Sequence, residues 1–105
     1  MVSRYRQLEA LVEDWAEDKG IIKNGTPTAQ ALKTLEECNE LIDAIDKEHK
    51  GETVDALGDV LVTLIIQAKL QGVDLLDCLQ IAYDVISKRT GKMENGMFIK
   101  DKATN

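Results

Sequence analysis

Two stretches of this chain hold carboxylates that helical spacing would bring together. The first is "LKTLEECNELIDAI", which carries Glu36, Glu37 and Glu40. At roughly 100° per residue these three share an arc about 100° wide, beside an apolar stripe of Leu35, Cys38, Ile42 and Ile45. Like charges at i, i+3 and i, i+4 disfavour an isolated helix, so something must offset their repulsion. The second is "VDALGDVLVTLIIQA", Val54 to Ala68, the most apolar run in the chain. It contains Asp55 and Asp59 but no Lys or Arg. The two aspartates lie about 40° apart, with Glu52 close to Asp59 in angle and Val62 and Ile66 continuing the stripe. Buried ionised carboxylates are costly unless they pair with a cation or bind a metal. Two facing helices of this kind make an oxygen-rich cage, which suits hard cations such as Mg²⁺ or Mn²⁺. A zinc site would want His or Cys, and the single histidine, His49, falls in a polar connection. The Glu-x-x-His pairs of di-iron bundles are absent.

Plainer readings stand beside these. A Glu-rich helix face is ordinarily a solvated surface, and Lys33 lies near enough to pair with Glu37. Asp55, near a helix start, is favoured there by the helix dipole. Asp59 sits more than one turn inside, so its plain reading is a core aspartate paired with a cation from another helix. Lys88, Arg89 and Lys92 cluster after the last helical segment. They suit either the phosphates of a ligand or the complement of a helix C-terminus. Trp15 and Tyr83 have the faces to stack on a base, but their helical positions fit core packing better. Asn24 fits a turn.

Four helices are expected to position these groups. The first runs from about Ser3 to Asp18, with Leu8, Leu11, Val12 and Trp15 on one stripe. "GIIKNGTPT" breaks it, and Asn24-Gly25 is the turn signal. Thr26 caps the second helix, Pro27 takes its first position, and it continues to about Lys47. "KEHKGE" connects to the third, about Glu52 to Leu70, which breaks at Gly72. Asp74 begins the fourth, with Asp77 near its N-terminus, and it ends near Arg89 with Gly91 beyond. The tail "KMENGMFIK" suits a small hairpin around Asn95-Gly96. Short connections favour antiparallel neighbours, so the expected fold class is all-α, a four-helix bundle with a hairpin-like tail. The third helix is apolar almost all round and belongs in the middle of a bundle or at a subunit interface, so a homodimer or homotetramer is expected.

The 105 residues fit one domain, with 44% hydrophobic residues for a core. The net charge of −6 disfavours nucleic acid as a partner. No run of roughly 18 uncharged apolar residues marks a membrane span. Cys38 and Cys78 form no CxxC pair, and both read as small buried hydrophobes within helices. With no signal-peptide pattern at the N-terminus, the expected setting is reducing and cytoplasmic.

These residues resemble the MazG-like all-α nucleoside triphosphate pyrophosphohydrolases. That family carries EExxE on one helix and ExxD on the next. Here Glu36-Glu37-Cys38-Asn39-Glu40 keeps the first half. Where such proteins often read "ELGD" before an apolar run, this chain reads "ALGD", Ala56 to Asp59. Asp59 takes the place of the family aspartate, and Ala56 stands where the glutamate is expected. Asp55 on the same face is a substitute, and Glu52 to Asp55 is a literal ExxD. The likeness extends over about Trp15 to Lys100. It implies Mg²⁺-dependent hydrolysis of a nucleoside or deoxynucleoside triphosphate to monophosphate and pyrophosphate. It also implies Glu36, Glu37 and Glu40 as catalytic residues and Glu37, Glu40, Asp55 and Asp59 as metal ligands. Glu36 is then a further ligand, a support or a general base. Lys33, Lys88, Arg89 and Lys92 are the substrate-binding cations. Two alternatives remain: a related enzyme acting on a phosphoribosyl-nucleotide, and a non-catalytic helical interaction module.

Overall fold

A computed structural model describes residues 1–102. It is mainly helical, with five helices and one two-stranded sheet among the described residues. The chain falls into two units, Met1–Leu75 and the residues from Leu76 onward.

In the first unit, α1 (Arg4–Asp18) begins at Ser3, whose side chain accepts from the Arg6 backbone N–H at 3.2 Å. Thr26 caps α3 (Pro27–Asp46) by accepting from Ala29 N at 3.2 Å, with Pro27 at the first position, where a missing N–H does no harm. Between them lies a turn of helix that the sequence pattern did not reveal, α2 (Ile21–Asn24). It starts after Gly20 at φ 77° and is held by Asn24 Nδ2 donating to the Gly20 carbonyl at 3.0 Å. Asn24 is a turn-former, as expected, but it closes a helical turn.

The fourth helix, α4 (Lys50–Gln71), starts two residues earlier than its composition indicates. His49 does not lie in a loop away from structure. Its Nδ1 accepts from the Glu52 N–H at 2.9 Å and caps the helix. Gly72 ends it at φ 69°, a left-handed conformation that glycine adopts without a Cβ penalty.

The helices α3 and α4 run antiparallel and are stitched by polar contacts. Gln67 Nε2 donates to Pro27 O at 2.9 Å, Gln30 Nε2 to Thr63 O at 3.2 Å, and Thr34 Oγ1 to Thr63 Oγ1 at 2.9 Å. Small buried residues, Ala44 and Ala56 among them, let these helices approach closely. One end of α1 is tied to the turn after α4, where Arg6 bonds Glu9 at 2.7 Å and Asp74 at 2.9 Å. Burial, then a hydrogen bond to Glu9, pushes the Tyr5 phenol up to about 12.

The helix expected in the middle of a bundle or at a subunit interface is α4, and a single chain covers only part of it. The helix buries Ala56, Thr63, Ile65, Ile66 and Ala68, while Val54, Leu57, Leu61 and Leu64 remain exposed. Trp15 and Tyr83, read as core residues, are about half exposed at 48% and 56%. Cys38 is half-buried, and Cys78 is exposed rather than buried; both are free. No single helix among the described residues is long and apolar enough to cross a membrane.

The second unit holds α5 (Leu75–Ile86), with Asp77 in its first turn, and a hairpin of β1 (Gly91–Glu94) and β2 (Met97–Lys100). α5 ends short of Arg89, and Lys88 and Arg89 lie in the turn that follows it. The strands pair antiparallel, Gly91 opposite Lys100 and Glu94 opposite Met97. Asn95 (φ 51°) and Gly96 (φ 80°) form the tight turn that their dipeptide foretells.

Candidate metal centre

The α3 cap and the α3–α4 polar stitches fix which face of each helix looks at the other. Glu36, Glu37 and Glu40 come together on α3, where one carboxylate oxygen of each lies within 4.8 Å of the others. Glu37 is buried, at 9% exposure, whereas Glu36 and Glu40 are exposed. Lys33, one turn earlier, reaches Glu36 Oε1 at 3.3 Å and Glu37 Oε1 at 3.6 Å. The Lys33–Glu37 pairing read from helical spacing is thus present.

The other oxygen of Glu37, Oε2, is buried without a hydrogen-bond partner among the described residues. An ionised carboxylate does not stay unsatisfied without a penalty. Its neighbours give no relief. The adjacent Glu37 carboxylate, as acceptor and as charge, raises the Glu40 carboxyl, with burial and Glu36 adding to the effect. Asp59 is raised by burial first, then by the charges of Asp55 and Glu37, with Lys33 opposing. Asp59 thus holds its proton more readily mainly because it is withdrawn from water, and Glu40 mainly because of Glu37.

Asp59 is half-buried on α4 and Asp55 exposed, one turn before it. They line a cavity of about 250 Å³ together with Glu40, Asp43, Lys47 and Glu52. Asp43 and Lys47 were not singled out from sequence. The signal was there: Asp43 is three residues past Glu40 and seven past Glu36, so it continues the same helical face. A second cavity, of about 230 Å³, joins Glu37, Asp59 and Lys33 to Trp15, Gln30 and Thr63. Trp15, from α1, therefore stands beside the carboxylates.

The donor set is all oxygen, and its most buried member has an unsatisfied lone pair. Such a set suits a hard divalent cation; among the described residues the carboxylates brought within 4.8 Å of one another are Glu36, Glu37 and Glu40, and that group does not include Asp55 or Asp59. Lys88, Arg89 and Lys92 belong to the second unit and are exposed, with Lys92 Nζ 3.4 Å from Glu94.

The MazG nucleotide pyrophosphohydrolase domain model matches residues 25–95. The chain belongs to this family. The match spans the EExxE helix, the "ALGD" helix and most of the second unit. The MazG family is one of nucleotide pyrophosphohydrolases, hydrolases that generally use divalent metals. An uncharacterized 18.2 kDa protein from the rep-hol intergenic region of Haemophilus phage HP1 (strain HP1c1) is 35% identical over 69 residues. That alignment covers 66% of this chain and 42% of the phage protein. The uncharacterized protein YabN of Bacillus subtilis (strain 168) is 41% identical over 54 residues, 45% of this chain and 11% of YabN. The chain thus spans less than half the length of either relative. No solved structure matches.

The MazG departure at Ala56 has a structural counterpart. Ala56 is 5% exposed and lines the acidic cavity. The position where the motif expects glutamate is therefore a wall of the site, with Asp43, Glu52 and Asp55 as the acids around it.

Proposed function

We propose that this chain hydrolyses a nucleoside or deoxynucleoside triphosphate to the monophosphate and pyrophosphate, with Mg²⁺, or Mn²⁺ in its place. The observation that carries the reading is the buried, unpartnered Oε2 of Glu37 in a cluster of three carboxylates. Glu37, Glu40, Asp55 and Asp59 would hold the ion, which when bound neutralises phosphate charge and acts as a Lewis acid.

The remaining roles belong to the chain itself. Glu37 and Asp59, one on each helix, fix the cage because α3 and α4 are stitched rigidly around them. Glu36, exposed and adjacent, is the general base in this reading, placed to take a proton from an attacking water. Lys33 holds Glu36 and Glu37 in position and offers its ammonium to a phosphate oxygen when substrate arrives.

Incubating the protein with Mg²⁺ and a panel of NTPs and dNTPs, and identifying products by ³¹P NMR, tests this. Equal amounts of monophosphate and pyrophosphate are expected from at least one substrate. Orthophosphate plus a diphosphate would contradict the reaction. The buried Ala56 favours one second reading, a module that binds Mg²⁺ without turnover. Metal binding with no product from any triphosphate would support it.

A further inference from the structure

Two cavities adjoin at Trp15, Asp59 and Val62, which line both. One, of about 230 Å³, takes in Glu37 and Lys33 together with Gln30. Glu37 and Gln30 are two turns apart on α3, so they lie on one line of that helix, separated by about 10 Å. The other cavity, of about 360 Å³, is walled by Leu8, Leu11 and Val12 of α1 with Trp15 and Val62. Asp59 is its one polar lining residue. Trp15 is half exposed, so its ring is open to a flat ligand. Carboxylates at one place and apolar walls beside them suit a molecule charged at one end and aromatic at the other.

Gln30 is the amide among these walls, and its orientation is fixed. Its Nε2 donates to the Thr63 carbonyl oxygen at 3.2 Å. A carbonyl only accepts, so the amide cannot turn over without setting two acceptors against each other. Thr63 is itself held, since its hydroxyl accepts from Thr34 at 2.9 Å and donates to the Val60 carbonyl at 2.6 Å. The other end of the amide, Gln30 Oε1, accepts no hydrogen bond among the described residues, and the side chain is half-buried. The cavity beside the carboxylates therefore carries one neutral, oriented acceptor.

We propose that Gln30 makes this site choose a base that bears an exocyclic amino group, cytosine or adenine, over uracil or thymine. The base lies against Trp15, and its amino group donates to Gln30 Oε1. The inference rests on reading the cleft as a nucleoside triphosphate site. Cytosine and adenine present an amino donor where thymine presents the O4 acceptor. An amino group satisfies Oε1. A carbonyl sets acceptor against acceptor and leaves both without the water they gave up. Cytosine and uracil rings have nearly the same size and shape, so the apolar walls do not tell them apart. Discrimination falls to the fixed amide.

Trp15 is the chain's single tryptophan, so its fluorescence reports on this cavity without any turnover. The titrants are the α,β-imido analogues of dCTP and dUTP with Mg²⁺, which cannot be split at that bridge. Both should change the fluorescence of the parent, the cytosine analogue binding tighter by about tenfold or more. Gln30→Met, similar in length but without a polar end, should bind the two analogues about equally. Gln30→Glu keeps an acceptor and should keep the cytosine preference, because its added charge acts on both analogues alike. Circular dichroism verifies folding. A parent that binds both equally overturns the proposal, as does a folded Gln30→Met that keeps the parent's preference. No fluorescence response to either analogue overturns it too. If Gln30→Met does not fold, Gln30→Glu decides, and loss of the preference there overturns the proposal. Product analysis of dCTP and dUTP alongside separates this from the reaction. A cytosine preference without turnover sustains the base choice and removes the reaction, whereas turnover with equal analogue affinities removes the base choice alone.

Discussion

Glu37 on α3 and Asp59 on α4 face one cavity, and the charge of the first helps to raise the carboxyl of the second. Two acids meet across the helix pair, and Oε2 of Glu37 is buried without a hydrogen-bond partner among the described residues.

The raised carboxyls set a pH dependence in metal-free protein. Asp59 and Glu40 are both raised in the folded state, so folding takes up protons between the ordinary carboxylate range and the raised values. Their contribution to stability is complete below the ordinary range and is lost as pH rises through the raised values. In EDTA, Asp59→Asn should flatten the melting temperature between pH 4 and 7 relative to the parent. An identical pH slope in the two proteins would show that Asp59 is not the group responsible.

Lys33 offers a test of divided roles. It opposes the raised carboxyls, so Lys33→Gln should leave Mg²⁺ binding as tight or tighter. The same change should raise the KM for nucleotide by about two- to fivefold, the scale of an exposed ion pair. Calorimetric Mg²⁺ titration and steady-state kinetics separate the two effects. Weaker Mg²⁺ binding with an unchanged KM would reverse the assignment.

Ala56→Glu restores the carboxylate that the MazG motif carries. Position 56 is buried against α3, so overpacking should destabilise the metal-free protein by about 1–3 kcal/mol. Mg²⁺ should restore the loss, because the new carboxylate joins the cage, and turnover should rise. A variant equally destabilised with and without Mg²⁺ would remove position 56 from the site.

The Thr63 hydroxyl accepts from Thr34 and donates to the Val60 carbonyl at 2.6 Å, inside the α3–α4 contact. Thr63→Val should lower stability by about 1 kcal/mol. For a chain of this size that is a fall of about 4–8 °C in Tm. A differential scan reads it directly, and an unchanged Tm would mean that the contact is not a stitch between the helices.

Much of this arrangement was legible in residues with a single conformational use. Thr26-Pro27 announced the start of α3, and Asn95-Gly96 the hairpin turn. The EExxE face was visible because three like charges on one arc demand a compensating partner. What the chain hid has physical causes. The "IIKN" turn between Gly20 and Gly25 is too short to show periodicity, and α1 and α4 hold it in place. His49 is an uncommon cap, so α4 appeared to begin at Glu52. An apolar run with no polar face cannot declare which side is buried, so Ile65 and Ile66 looked no different from Leu57 and Leu61. Asp43 and Lys47 were passed over because the motif ends at Glu40, although the cavity continues one more turn.

The central claim is that Glu37 and Asp59 are kept as a pair for a cation. Its most direct test is a set of four thermal melts: parent and Asp59→Asn, each in EDTA and in saturating Mg²⁺. Mg²⁺ at a hundred times its dissociation constant should stabilise the parent by about 2.7 kcal/mol. Asp59→Asn should melt as high as the parent in EDTA, or higher, and should lose that Mg²⁺ gain. A structural aspartate, paired with a buried cation, would behave in the opposite way, its loss lowering stability by about 3–5 kcal/mol. An Asp59→Asn protein that melts far lower in EDTA, beside a parent that Mg²⁺ does not shift, would contradict the account.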